Sequence, residues 1–285
     1  MNKIIKDFQQ NGIVCLKNHI SENSLNIFYQ TLLDLSYFHL KKVGEHSSKL
    51  KRIYRSKKKI GEKISSMYEI FEKNDKEMLY QMQKLFVSSN NLRNLLESEK
   101  IIKAFKDLLK IEDNVPLLMD GPGIFVNRPK TKRLLYKWHS ESHYYPKRRN
   151  FLNIWLPIFD NKSDKNGTMY VKKKSHLLED LPFNEYQGFD KSSENKKNHF
   201  VQYEVPENFV KNLETYKAEL NVGDLLIFHR KSVHTSTHNY SKKYSFAAVF
   251  RIWDMSKDLT INGSLGVQSY KDTGNGRPDL AVEKS

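Results

Sequence analysis

The chain changes texture at Pro116, and that change limits its folding options more than any other feature. Before Pro116, apolar residues recur at helical spacing. Leu25, Phe28, Leu32, Leu33 and Leu35 follow Ser21, a residue type suited to N-capping. Ile64, Met67, Ile70 and Phe71 repeat the period within a helical stretch over 60–86, and 92–109 continues it. After Pro116 come short apolar runs bounded by Gly, Pro, Asn and Asp: 124–126, 134–136, 151–158, 168–171, 224–228 and 246–253. Asn166-Gly167 and Gly223-Asp224 mark turns, and Gly12-Ile13-Val14-Cys15-Leu16 reads as one early strand. Helices followed by many strands predict a mainly β fold, a β-sandwich or jelly roll with helices packed against one sheet.

At 285 residues the chain can bury one substantial core. We expect a single domain over 1–285, with a mainly helical layer at 1–115, a β core at 116–254 and a loop or lid at 255–285. The net charge of +15 raises the question of a nucleic-acid partner. The densest cluster, Lys51, Arg52, Arg55, Lys57, Lys58 and Lys59 within 41–63, has few interleaved aromatics and no nucleic-acid-binding motif. The charge reads first as a lysine-rich composition, and it is equally compatible with a small anionic substrate. Cys15 is the single cysteine, so no intrachain disulfide can form. The first ten residues lack an apolar signal core, and no run approaches the ~20 apolar residues that span a bilayer. These features predict a cytoplasmic protein without a membrane span.

Chemistry is concentrated in Trp138-His139-Ser140-Glu141 and, ninety-odd residues later, around His234. On an extended strand residues i and i+2 share a face, so His139 and Glu141 can hold one cation while Ser140 turns away. A third ligand from a strand distant in sequence completes a 2-His-1-carboxylate triad with open positions, the arrangement suited to iron(II) and O2. His143 would share a face with His139 only on a helix, where the two would make a zinc pair. Tyr144-Tyr145-Pro146 argues against that helix. Arg148 and Arg149 read as a solvated pair, and His176 as a turn brace.

The order of features around the triad is more specific. Trp138-His139-Ser140-Glu141 precedes the apolar strand Phe151-Leu152-Asn153-Ile154-Trp155-Leu156-Pro157-Ile158. Asn166-Gly167, Ser175-His176, Gly223-Asp224, His234-Thr235-Ser236, Asn239 and Ser241 follow in turn. This succession, from about Gly123 to Asp254, resembles the phytanoyl-CoA dioxygenase family of iron(II)/2-oxoglutarate oxygenases. The resemblance implies a double-stranded β-helix (jelly roll, cupin-like) core, with His139, Glu141 and His234 as iron ligands. It places Ser236 on the far carboxylate of 2-oxoglutarate and Trp155 beside that co-substrate. It also implies O2-dependent hydroxylation of an unactivated C–H bond in a small metabolite, sugar or natural-product scaffold.

The chain departs from the family pattern in three places. Glu141 stands where Asp is commoner, and Lys174 precedes Ser175-His176 where Gly is usual. The arginine expected eleven residues after the distal histidine is Ser245. A buried dianion without a cation would be costly. Lys243, two residues earlier, is the expected replacement, ahead of Arg251. A non-catalytic, ligand-binding jelly roll with a vestigial metal site, or a non-redox cupin-type metal isomerase, are the alternatives.

Overall fold

The computed structural model describes residues 2–42, 47–74, 82, 84–130, 135–146, 150–187 and 201–254. Its helices precede its strands, apart from the early strand and a few single turns. Asn2–Asn11 (α1) runs into Ile13–Leu16 (β1) through Gly12 at φ 72°. Ser21 Oγ accepts from Ser24 N at 3.1 Å and starts Glu22–Lys42 (α2), whose Leu25, Phe28, Leu32 and Leu33 are buried. Ser47–Arg55 (α3) and Ile60–Asn74 (α4) follow, and α4 buries Ile64, Met67, Ile70 and Phe71. The helical stretch expected over 92–109 is interrupted. Ser98 takes an extended conformation and accepts from Ile101 N, so Asn90–Asn94 and Glu99–Leu109 are separate helices.

The strands are Leu117–Asn127 (β2), Phe151–Ile158 (β3), Met169–Lys172 (β4), Asn184–Gln187 (β5), Val201–Glu204 (β6), Thr215–Lys217 (β7), Leu225–His229 (β8), His234–Ser236 (β9) and Ser245–Asp254 (β10). They form antiparallel sheets of order β1-β8-β3-β10-β2 and β7-β4-β9, with β5 and β6 as a separate pair. This is the expected jelly-roll core with a helical layer. The expected strand at 134–136 is not found: residues 135–137 are irregular, and 134 lies outside the described residues. The short strands β5, β6 and β7 carry too weak an alternation to be read from sequence.

Alternation along the large sheet explains how two cores coexist. On β3, Leu152, Ile154, Leu156 and Ile158 join the helices in one cluster, whereas Trp155 faces the small sheet. On β8, Leu225 and Ile227 face the helices, and Leu226 and Phe228 face the small sheet. On β10, Phe246, Ala248, Phe250 and Ile252 face the helices, which leaves Ser245, Ala247, Val249 and Arg251 on the inner face. Truncating a side chain as buried as Phe250 would cost about 3–5 kcal/mol.

Two turns tie these layers to the site. Asp224, buried beside Gly223 at φ 96°, accepts from Lys17 Nζ, Asn18 N and Asn221 N, locking β1 to β8. Lys174, at the position where glycine was expected, adopts the left-handed conformation at φ 63°, which glycine takes most easily. Ser175 Oγ then donates to Lys172 O and accepts from Val233 N, pinning the segment just before His234. Among the described residues no helix is long and apolar enough to cross a membrane. The lid expected at 255–285 and the Arg148-Arg149 pair lie outside the described residues.

Candidate metal centre

His139 and His234 face each other across an antiparallel bridge. His139 N donates to His234 O, and His234 N donates to His139 O, each at 2.9 Å. The local backbone at Glu141 differs from the expectation of a continuous strand. Ser140 is extended and its hydroxyl accepts from Ser142 N, so Glu141 opens a one-turn helix, Glu141–Tyr144. An N-capping serine ends the strand there. Because residue 140 itself is extended, Glu141 still comes round to the side of His139.

Both imidazoles are fixed by backbone carbonyls. His139 Nδ1 donates to Lys137 O at 2.7 Å, and His234 Nδ1 donates to Ser232 O at 3.0 Å. That leaves the Nε2 lone pairs free, and both point at one carboxylate oxygen, Glu141 Oε1, at 3.8 Å each. The three side chains are buried, with ligand atoms within 4.8 Å of one another. Glu141 Oε2 is turned away and held by Arg251, whose Nη2 and Nε donate at 2.5 and 3.0 Å. Arg251 also lies over the Tyr145 ring at 4.9 Å.

The electrostatics suit a cation. Burial pushes the His139 and His234 pKa values down, so both rings stay neutral and able to ligate. For Glu141 burial works upward, but the charge of Arg251 and its hydrogen bonds oppose it, and the carboxyl lies below its ordinary value. Two neutral imidazole nitrogens and one carboxylate oxygen, gathered on one side, match the donor set for iron(II) with open positions. Asn153, cross-strand from Arg251 and Phe228 on the inner face, is buried with its Nδ2 unpaired among the described residues. It is a spare donor beside the triad.

The remaining expected residues divide. Trp155 is buried in the inner cluster, and Ser236 lies on β9 with its Oγ accepting from Tyr136 N at 2.8 Å. Lys243 is not brought to the site. It belongs to a turn before β10, built by Asn239 Nδ2 donating to Lys243 O and Ser241 N donating to Asn239 Oδ1. Strand parity therefore does not apply to it, and its largely exposed Nζ pairs with Glu62 on α4 at 2.6 Å. Arg251 reaches the triad as a brace on Glu141, away from Ser245. His143 is helical after all, yet its ring stacks on Phe183 with centroids 4.4 Å apart, outside the triad. His176 braces α1 by contacting Gln9 O. Sequence reasoning missed Lys162, buried with its Nζ donating to Ser245 Oγ. Lone lysines on a polar loop carry no periodic signal.

The family model described as Phytanoyl-CoA dioxygenase (PhyH) matches residues 8–246. No curated protein matches the chain. Among solved structures, the non-heme alpha ketoglutarate dependent carbocyclase SnoK from nogalamycin biosynthesis is similar, at 16% identity and a TM-score of 0.53, over 89% of this chain and 84% of that one. EvdO2 from Micromonospora carbonacea var. aurantiaca, complexed with 2-oxoglutarate, is 12% identical with a TM-score of 0.53, over 89% and 91%. EctD from S. alaskensis, with 2-oxoglutarate and 5-hydroxyectoine, is 10% identical with a TM-score of 0.51, over 90% and 77%. At these identities the likeness is one of fold.

Proposed function

Because the chain belongs to the phytanoyl-CoA dioxygenase family, we propose that it hydroxylates an unactivated C–H bond of a small anionic molecule. It is a non-haem iron enzyme that depends on 2-oxoglutarate. The reading is carried by one observation: two fixed Nε2 atoms converge on one oxygen of a buried carboxylate. His139, His234 and Glu141 would hold the metal through those three atoms. When bound there, iron(II) supplies activation of O2 coupled to oxidative decarboxylation of 2-oxoglutarate to succinate and CO2.

The chain's own residues do the positioning. Lys137 O and Ser232 O hold the Nδ1 protons, which keeps both rings in the ligating tautomer. Arg251 occupies Glu141 Oε2 and so presents Oε1 alone, which answers how the longer Glu serves where Asp is commoner. Burial of all three ligands excludes bulk water from the reacting centre. Ser236, two residues after His234 on the same strand, would offer its hydroxyl to the co-substrate, and Trp155 would wall the inner cluster next to it. Asn153 Nδ2 would donate to an oxygen of co-substrate or substrate. The net charge of +15 would draw anions toward the protein.

The test is anaerobic reconstitution with iron(II), followed by O2, 2-oxoglutarate and a panel of anionic metabolites, reading iron content, succinate and product mass. The expected product is heavier by one oxygen atom. A product of unchanged mass, or one lighter by two hydrogens, would replace hydroxylation with epimerisation or ring closure. His139→Ala and His234→Ala should each abolish iron binding while far-UV circular dichroism stays that of the parent.

A further inference from the structure

We infer that Lys162 is the cation that binds the far carboxylate of 2-oxoglutarate in this enzyme, with Ser245 at its side. The inference rests on the co-substrate reading above. Lys162 is 3% exposed and is held rigidly: its N donates to Leu220 O at 2.8 Å, and its O accepts from Leu220 N at 3.1 Å. Its Nζ donates to the buried Ser245 Oγ and lies 5.9 Å from the Trp155 ring centroid. No carboxylate stands within ion-pair distance of it among the described residues. The exposed Asp160 contributes only a longer-range attraction.

Its place in the barrel is the second strand of the argument. Trp155 and Leu220 belong to the inner cluster, together with Val171 and Phe228. Val171 is the cross-strand partner of His234, and the Phe228 ring centroid lies 4.7 Å from that of His234. One apolar cluster is thus bounded by a metal ligand on one side and by an ammonium group on another. A dianionic 2-oxo acid has this polarity: its keto-acid end suits a metal, and its far carboxylate needs a cation.

Three other cations of the described residues are engaged elsewhere. Arg251 is engaged with Glu141, and Lys243 with Glu62 at the exterior. Lys172 lies on the opposite face of β4 from Val171, with its Nζ over Trp138 at 4.9 Å. An ammonium buried against a single hydroxyl is costly, and an apolar residue there would stabilise the fold more. Burial accordingly pushes its pKa down to about 7. A carboxylate arriving at Nζ would offset that cost, as an arginine at position 245 would otherwise do for the ligand.

The experiment is anaerobic calorimetric titration of the iron(II)-loaded full chain with 2-oxoglutarate and with 2-oxopentanoate, which lacks the far carboxylate. Lys162→Met should weaken 2-oxoglutarate at least ~30-fold, the scale expected for losing one partner of a buried charge pair. It should change 2-oxopentanoate less than about threefold and leave iron content unchanged. Adding Ser245→Arg to Lys162→Met should recover most of the lost affinity. Should the Met variant fail to fold, Ser245→Asp tests the same subsite. Its carboxylate pairs with Lys162 Nζ in a folded protein and should abolish 2-oxoglutarate binding while sparing 2-oxopentanoate. Equal affinity of parent and Lys162→Met for 2-oxoglutarate overturns the inference, as does equal weakening of both acids. A parent protein that binds iron but neither acid overturns the co-substrate reading instead.

Discussion

Arg251 grips one oxygen of Glu141, Oε2, at 2.5 Å, while the other oxygen faces the two histidines. The pair joins the large sheet to the one-turn helix after His139, since Arg251 comes from the inner face of β10 and Glu141 opens that helix. It makes the carboxylate anionic despite burial and gives it one orientation. Removing the guanidinium as Arg251→Met leaves desolvation unopposed by its strongest partner, so the Glu141 pKa rises. Iron(II) affinity should fall about 10–100-fold, the usual cost of losing an outer-shell partner. The loss should grow as pH is lowered, because protons then compete for Glu141. Metal titrations at two pH values check this, and an unchanged affinity would remove Arg251 from the site's design.

Lys243 provides the opposite case. Its exposed Nζ pairs with half-buried Glu62 on α4, and that contact raises the Lys243 pKa through the hydrogen bond and charge of Glu62. Lys243→Ala should therefore leave both the 2-oxoglutarate requirement and the unfolding midpoint essentially where they are. A sharp rise in the 2-oxoglutarate requirement would instead show that the turn closes onto the co-substrate in solution.

The contrast between Lys243 and Lys162 shows where sequence reading stops. Strand alternation found β3, β8 and β10 to within a residue or two, since each has one face on helices and one on the small sheet. The clustering of His139, Glu141 and His234 was equally legible, because their spacing survives even where the strand gives way to a helix at Glu141. Parity arguments fail once a residue leaves the strand. Asn239 and Ser241 wind the chain into a turn, and Lys243 points to the helical layer. Lys162 meets Ser245 from 83 residues away, through loop geometry that no local period encodes.

Buried neutral histidines set the acid limb of stability. Burial, helped by the charges of His176, Arg230 and Lys231, pushes His229 down to about 3, and burial likewise lowers His139 and His234. In the unfolded chain these rings take up protons below ~6.5, whereas in the folded chain they do not. The unfolded state then binds more protons, so stability falls as pH drops through that value and keeps falling toward the folded pKa. The slope is up to ~1.4 kcal/mol per pH unit for each such ring. Urea midpoints of the metal-free protein at about pH 7.5 and about pH 5.5 should differ in this direction. A midpoint that is flat or higher in acid would mean the rings are charged in the fold.

The last link joins the N-terminal turn to His234 of the candidate metal centre. Gly12 sits at φ 72°, and a Cβ there would lie 2.3 Å from His176 Nδ1 and 2.8 Å from Ser232 Oγ. Gly12 O also accepts from His229 N and from Ser232 Oγ, each at 2.8 Å. Ser232 O is in turn the acceptor that fixes His234 Nδ1. Gly12→Ala combines a disfavoured backbone conformation with a forced shift of Ser232, so a cost of about 1–3 kcal/mol is expected. Moving Ser232 tilts the His234 ring, and iron(II) affinity should drop ~10-fold even though Gly12 touches no ligand. Urea denaturation and anaerobic iron titration on the same preparation separate the two effects. Lost stability with iron affinity held within about twofold would confine Gly12 to folding and break its path to His234.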